Sequence, residues 1–390
     1  MAKKKILSYG KPSINADDIR EVTKALESTS LTRGPKVQEF EDAIARYCGV
    51  KHAVAFSSGT AALMATCHAA NMGLHDRFIT TPNTFVATVG AGISCKSTPV
   101  FVDIDLDTGN LNLEQVHDNL NNPSTRGKDV VIPVHFSGIA VDMQRIQKMI
   151  TKPDTIVIED AAHALGSCYS DGEKVGSCEY SDMTMFSFHP VKNITTGEGG
   201  VVTTNNDALS HRLKRFRNNG IERDANYLEG PSAPWYYEVQ EITGNYNFTD
   251  IQAALGLSQL QRLDIMVSKR RALVATYREM LKGVPHIRLF TDEFDSHTAF
   301  HLFVVQIDFQ KLRINRSDLM IKLMDAGIGT QLHYIPIYRH PFFTRKYGDI
   351  HEYFPHMERY YSQALSLPLF YDMDDEDVKN VVYNLKSAIS

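Results

Sequence analysis

The sequence predicts an α/β protein: a mainly parallel sheet covered on both faces by helices, followed by a smaller α/β or α+β unit. Three observations carry this. Between His52 and Thr204, short apolar runs alternate with helical stretches, as expected of a sheet buried on both sides. The Ser57–Thr60 loop, Phe85, His135, Asp160 and Ser187 all fall at strand ends, and in such sheets ligands bind beyond the carboxyl ends of the strands. From about Phe300 the pattern changes to a separate strand–helix alternation, reached through one long helix.

In chain order, Tyr9 to Pro12 is extended, and Asn15, Asp17 and Asp18 offer caps for a helix over Ile19 to Glu27. The glycine-containing loop Ser30 to Pro35 leads to an amphipathic helix, Lys36 to Tyr47, with Val37, Phe40, Ile44 and Tyr47 near helical spacing and Gly49 as its stop. His52 to Phe56 reads as a strand, and the small-polar loop Ser57 to Thr60 opens an alanine-rich helix, Ala61 to Asn71. Free N–H groups, hydroxyls and the helix dipole converge at such a junction, which makes it either an anion site or an ordinary N-cap. No GK[ST] follows, so it is not a Walker loop.

Further strands are predicted over Arg77–Thr81, Pro99–Asp103, Val130–His135, Thr155–Glu159, the run from Met183 to Ser187, and Val201–Thr204. Helices are predicted over Val86–Ile93, Leu113–Leu120 and Asp207–Asn218. Asn219 to Pro234 reads as a polar loop before the sole tryptophan, Trp235. A long helix starts at Thr249 or Asp250 and continues to Leu281. Beyond it come a strand (Leu302–Ile307), a helix (Arg316–Ala326), a strand (Thr330–Tyr334) and helices near Met357–Leu365 and Asp374–Ser387.

Composition narrows the function. The 390 residues suffice for about two domains, and 43% hydrophobic with 22% charged residues fits a soluble globular chain. A net charge of −5 gives no nucleic-acid surface, and the one basic run, Lys3 to Lys5, reads as a solvated end. No apolar stretch approaches the roughly 18 residues of a membrane span, and no signal-peptide core is present. Five cysteines without a CxxC pair argue against a disulfide framework, so a reducing, cytoplasmic setting is expected. The fifteen histidines show no metal-type spacing, so no metal is expected.

The stretch Met183 to Thr204 holds the densest chemistry. Lys192 lies in a loop between two apolar strands, before the glycine turn Gly197 to Gly200. A lysine fixed and partly dried there favours the neutral amine, which can attack a carbonyl to form a Schiff base; taken alone, it is equally a solvated loop lysine. Asp160 ends a buried strand, where a carboxylate needs a cationic partner. The protonated ring nitrogen of pyridoxal phosphate is one such partner, and the aspartate then keeps the ring an electron sink; a helix-capping role is the alternative. On the first reading Ser187 and the Ser57–Thr60 loop hold phosphate, Phe85 stacks on the ring, and His163 reaches its phenolic oxygen or packs nearby.

The ordered segments SSGTAAL, TPNTFVAT, EDAAHALG, SFHPVKNITTGEGG, GNYNFTDIQAALGLSQL and LHYIPIY resemble the sugar-nucleotide aminotransferases of the aspartate-aminotransferase fold, the DegT/DnrJ/EryC family. The likeness runs from Tyr9 to the C-terminal helices. It implies the fold of type I pyridoxal-phosphate enzymes, with a large cofactor-binding domain over 14–255 and a small domain over 256–390 joined by 1–13. It implies pyridoxal 5′-phosphate as cofactor, Lys192 as Schiff-base lysine and proton shuttle, Asp160 on the pyridinium, and His163 beside the ring. Ser58, Gly59, Thr60 and Ser187 would bind phosphate. The resemblance also implies a homodimer with shared active sites, Asn245 and Asn247 reaching into the neighbour's site. Tyr9, the loop Thr29, Ser30, Leu31 and Thr32, and the segment Leu332, His333, Tyr334 and Ile335 would face substrate.

Within the family, SFHxxK with ITTxEGG is typical of enzymes that aminate sugar carbon 4, and the further match is closest to the pseudaminic-acid branch. That implies L-glutamate as donor and a UDP-linked 4-keto-6-deoxy-N-acetyl sugar as acceptor. Perosamine- and viosamine-type 4-amination is the nearest alternative. A sugar dehydratase and a non-enzymatic regulator are the more distant ones. Asn247 and Asn219 depart from the branch, where arginine and histidine are common.

Overall fold

The computed structural model describes residues 6–122 and 127–389. Lys3 to Lys5 lie outside the described residues. The main sheet has seven strands: β1 (His52–Phe56), β2 (Arg77–Thr80), β3 (Thr98–Phe101), β4 (Asp129–Val131), β5 (Ile156–Asp160), β6 (Met183–Ser187) and β7 (Gly200–Thr204), in the order β1-β7-β6-β5-β4-β2-β3. All neighbours pair in parallel except β7, which runs antiparallel to β1 and β6.

Successive residues of the central strands enter different cores. Val54, Phe78, Val130, Ile158, Met185 and Val202 pack on one face, with the helix Gly59–Ala69. Ala55, Ile79, Val131, Val157, Phe186 and Val201 pack on the other, with Phe40 and Ile44 of the helix Pro35–Cys48. This two-sided burial is why the strands read as continuous apolar runs. Gly49 stops the Pro35–Cys48 helix in the left-handed region (φ 71°).

A short ribbon, β8 (Ile221–Glu222) with β9 (Glu238–Val239), lies within and just beyond the stretch expected to be loop alone. A third sheet, antiparallel, consists of β10 (Ile287–Leu289), β11 (Phe303–Ile307) and β12 (Ala364–Leu367), with β11 central. The helices Leu263–Leu281, Arg316–Asp325 and Asp375–Ile389 cover it around Leu273, Tyr277, Leu319 and Val382.

Four expectations are corrected. The long helix is two, Asp250–Leu260 and Leu263–Leu281, broken at Gln261–Arg262. At the break Arg262 turns inward to Asp18 (2.6 Å), where Ser258 and Gln259 also donate (2.6 and 2.7 Å). Thr330–Tyr334 is no strand: Gln331 makes one bridge to Ser366, after which the chain turns toward the main sheet. The helix near Met357 ends at Gln363, because Ala364–Leu367 pairs with β11 as β12. Finally, β4 stops at Val131, and His135 does not reach the strand-end site. It is fully buried, with Nδ1 accepting from the Val141 N–H (3.0 Å) and Nε2 meeting Glu159 (2.7 Å).

Asp18 is fully buried and joins the first helix to the helix pair through Ser258, Gln259 and Arg262. Replacing it with alanine takes the shared acceptor from the Arg262 guanidinium and from three further donors, Ser258, Gln259 and the Asn15 N–H. Asp18→Ala should lower unfolding stability by roughly 3–5 kcal/mol, read from denaturant midpoints.

Candidate active site

At the carboxyl ends of β1, β5 and β6 lies a cavity of about 630 Å³. One wall is the junction of β1 with the helix Gly59–Ala69. Ser58 caps that helix by accepting from the Ala61 N–H (3.1 Å), and the first N–H groups of the helix lack intrahelical partners. Two glycines make the junction open. A Cβ on Gly200 would lie 2.7 Å from the Ser58 carbonyl oxygen, and one on Gly59 would lie 2.9 Å from Ser187 Oγ. With both absent, backbone N–H groups, Thr60 and the Ser187 hydroxyl face one concave space suited to a phosphate.

Lys192 enters the same cavity from the β6–β7 loop. That loop is pinned from several sides: Asn193 donates to the Leu165 carbonyl (3.0 Å), Thr195 to that of Phe188 (3.0 Å) and Thr196 to that of Glu198 (2.6 Å). Lys192 keeps some accessible surface because it lines the cavity, yet protein surrounds it. That burial pushes its ammonium down to about 8, with the charge of Asp160 opposing the shift.

Asp160 is buried at the end of β5, the middle strand. Thr88 donates to Oδ2 (2.6 Å) and the Ala162 N–H to Oδ1 (3.1 Å). Burial still raises its carboxyl above the ordinary range, against the Thr88 and Ala162 hydrogen bonds and Lys192. A cation placed in the cavity would reverse that shift.

His163 lies one turn on. The Ser137 N–H donates to its Nδ1 (3.3 Å) and its Nε2 meets Tyr334 Oη (3.0 Å). Burial, and then Lys192, push its imidazole well below the ordinary range, so it is neutral. The His301 ring lies 4.5 Å away, tilted by 44°, and is held neutral for the same two reasons. Phe85 caps the opening at 58% exposure, its ring 6.4 Å from that of Tyr334.

Most residues expected at the site line this one space: Ser58, Gly59, Thr60, Phe85, Asp160, His163, Ser187 and Lys192, joined by Tyr9, Leu332, His333 and Tyr334. Thr29, Ser30, Leu31, Thr32, Asn245, Asn247 and Ile335 do not line it. Instead the 29–33 loop joins the 245–250 segment. Thr32 bridges Thr249, the Asp250 N–H donates to Leu31 (3.0 Å), and Arg33 and Asn247 both donate to Asn218 Oδ1 (3.2 Å each). The sequence reading missed Thr84, Thr88 and His301. Thr88 stands one helical turn beyond Thr84, a spacing that could have paired them; His301 carries no local signal.

Residues 12–386 match the DegT/DnrJ/EryC1/StrS aminotransferase family. The chain belongs to that family. Two curated relatives span it almost entirely. One is an uncharacterized protein of Methanocaldococcus jannaschii, 39% identical and covering 100% of this chain and 99% of its own. The other is the spore coat polysaccharide biosynthesis protein SpsC of Bacillus subtilis, 38% identical over 98% of this chain and 97% of its own. Among solved structures, the Helicobacter pylori aminotransferase PseC, involved in pseudoaminic acid biosynthesis, superposes with TM-score 0.88 at 30% identity, covering 99% of each chain. Spr1654 of Streptococcus pneumoniae, solved in PMP and PLP forms, also reaches 0.88, at 27 and 26% identity over 98% of each chain. DesI, solved in the presence of its TDP-sugar product, reaches 0.85 at 31% identity, covering 100% of this chain and 94% of its own.

The fold is therefore that of type I pyridoxal-phosphate enzymes, the protein is a sugar aminotransferase, and its cofactor is pyridoxal 5′-phosphate. The donor set fits that group: an open anion cradle, a buried carboxylate in need of a cation, and a dry amine share one cavity.

Only the neutral amine attacks a carbonyl, and the neutral fraction of Lys192 grows as pH rises past about 8. In cofactor-free protein, capture of added pyridoxal phosphate, followed by visible absorbance, should therefore speed up through pH 8 and level off above it. In Asp160→Asn the midpoint should move lower, because the carboxylate that favours the ammonium is gone.

Proposed function

We propose that the protein moves the amino group of L-glutamate to carbon 4 of a UDP-linked 4-keto-6-deoxy-N-acetyl hexose, the amination step of pseudaminic acid formation. The observation that carries the transfer chemistry is Lys192, an amine pushed to about 8, in one cavity with buried Asp160. Pyridoxal phosphate, when bound, supplies an electron sink for the carbon that bears the amino group. The protein's residues do the rest. Ser58, Gly59, Thr60 and Ser187 hold the phosphate, Asp160 holds the ring nitrogen charged, and Phe85 covers the ring. Lys192 Nζ takes the proton from the donor carbon and returns it to the sugar carbon. Tyr9, Leu332, His333 and Tyr334 shape the space for the sugar.

Likeness to PseC along nearly the whole chain supports this acceptor. A second reading is a perosamine- or viosamine-type 4-aminotransferase on another nucleotide-linked 4-keto-6-deoxy sugar; the 31% identity to DesI, solved with its TDP-sugar product, favours a nucleotide other than UDP. A dehydratase on this fold would carry histidine in place of the lysine, and Lys192 is retained.

We also propose a homodimer. The 29–33 loop packs against the 245–250 segment and none of these residues lines the chain's own cavity, which supports Asn245 and Asn247 serving the partner's site. A cytoplasmic setting goes with this reading. All five cysteines are free, and among the described residues no helix is long and apolar enough to cross a membrane.

The visible band of the holoenzyme should be converted by L-glutamate and restored by one 4-keto sugar nucleotide, which names the acceptor. Lys192→Ala should lose both the band and turnover; turnover kept at the wild-type rate would sink the assignment. Mixing Lys192→Ala with Asn245→Asp/Asn247→Asp chains should regain activity that neither has alone, because a mixed dimer holds one intact site. No regain, with mixed dimers confirmed by mass, would refute the shared site.

A further inference from the structure

Asp160 receives a donor on each carboxylate oxygen, and the two donors differ in kind. Ala162 offers a backbone N–H from the next turn, a local contact of the kind aspartates make at turns. Thr88 comes from another element, the helix Val86–Ser94, and its side chain is fully buried. Thr88 Oγ1 lies 2.6 Å from Asp160 Oδ2 and 2.7 Å from Thr84 Oγ1. A carboxylate only accepts, so the Thr88 proton is spent on Asp160. The short contact to Thr84 is then Thr84 donating to Thr88. The order is fixed: Thr84 to Thr88 to Asp160.

The placement of this relay follows from packing. One turn after Thr88, Gly92 presses against the Phe78 ring of β2, where a Cβ would lie 2.4 Å from the ring. That close approach brings the same helix face, and with it Thr88, down to the end of β5. Phe85 is the N-cap of this helix, so the aromatic over the cavity and the hydroxyl on its carboxylate belong to one turn of chain. With Thr88 on Oδ2 and Ala162 on Oδ1, each oxygen keeps lone-pair capacity for a donor in the cavity.

We propose that Thr88, oriented by Thr84, is a positioning residue for the aminotransferase: it fixes the rotamer of Asp160 and keeps it ionised toward the cofactor's ring nitrogen. This rests on the cofactor reading of the cavity. The ionisable groups facing Asp160 are Lys192 from the β6–β7 loop, His163 from the turn after β5, and Tyr334 from the segment before the Ile337–Arg339 turn; His135, beyond β4, acts on it only through space from the far face, where it meets Glu159. Lys192 and His135 favour the carboxylate, as the Thr88 hydroxyl does. Burial alone opposes it, so losing the hydroxyl raises the carboxyl further.

The test is pyridoxal phosphate affinity of the apo-protein, titrated by absorbance from pH 5.5 to 9, for wild type, Thr88→Val, Thr88→Ser and Thr84→Val. Valine keeps the shape of threonine and removes the hydroxyl. Thr88→Val should bind roughly ten- to a hundredfold more weakly, the range for one hydrogen bond to a charged group. Its loss should grow as pH falls, because the carboxylate protonates at a higher pH than in wild type. Thr88→Ser should restore most of the affinity and the wild-type pH profile, and Thr84→Val should shift both in the same direction by less. Wild-type affinity in Thr88→Val at every pH would overturn the proposal. So would an equal loss at every pH that serine fails to restore, which is the mark of a packing role. If Thr88→Val does not fold, wild-type behaviour of Thr84→Val decides against the relay, and its pH-dependent loss decides for it. Failure of wild type itself to take up pyridoxal phosphate would overturn the cofactor reading and this proposal with it.

Discussion

Two adjacent carboxylates end the central strand, and they face opposite ways. Strand alternation sends Glu159 to one side of the sheet and Asp160 to the other. Burying a charge demands partners, and the two sides meet that demand differently. Glu159 is saturated: His135, Tyr169, Ser181 and Thr184 all donate to it at 2.5–2.8 Å. Burial pushes its carboxyl up, but the hydrogen bonds and the His135 contact outweigh it and leave it below the ordinary range. Asp160 has two donors, and burial wins. The closed network anchors the strand end, and the open one leaves a carboxylate with capacity for a cation. The cavity depends on this asymmetry, because a fully satisfied Asp160 would have nothing left to bind.

Much of this was legible in the sequence, for physical reasons. A sheet buried on both faces needs unbroken apolar runs, so the sequence marks six of its seven strands to within about two residues; β4 is shorter than its apolar run, ending at Val131. Lys192, Asp160 and the Ser58–Thr60 turn stood out because a polar residue after such a run has few structural uses. His135 stood in the same kind of place and misled. It follows the run after β4, but its Nε2 turns to Glu159 on the far face. A strand-end position says that a side chain is near the edge of the sheet, and not which face it serves.

What sequence did not reveal depends on contacts far apart in the chain. The break at Gln261–Arg262 has no glycine or proline to mark it. It exists because Asp18, more than 200 positions away, gathers Ser258, Gln259 and Arg262 around one buried carboxylate. The segment at Gln331–Tyr334 has a strand's composition but only one bridge, since its side chains are drawn into the cavity. His333 is held there by Ser366 (2.8 Å), and Tyr360 donates to its carbonyl (2.6 Å). Propensity suggested a strand, and tertiary contacts overrode it.

The histidines around Lys192 complete the electrostatics. His163, His301 and His333 are all buried, and burial, followed by repulsion from Lys192, keeps each imidazole neutral; His333 is pushed down to about 3. Tyr334 is pushed up by burial and by Asp160, so it too is neutral. The tautomer of His163 then follows. Its Nδ1 accepts from the Ser137 N–H, so Nε2 carries the proton and donates to Tyr334 Oη. The tyrosine's own hydrogen is left to point elsewhere. Four uncharged groups, His163, His301, His333 and Tyr334, thus flank Lys192 and Asp160 in the cavity. Among these groups Lys192, pushed down to about 8, is the one whose charge changes near neutral pH, which is what the proposed proton transfer requires.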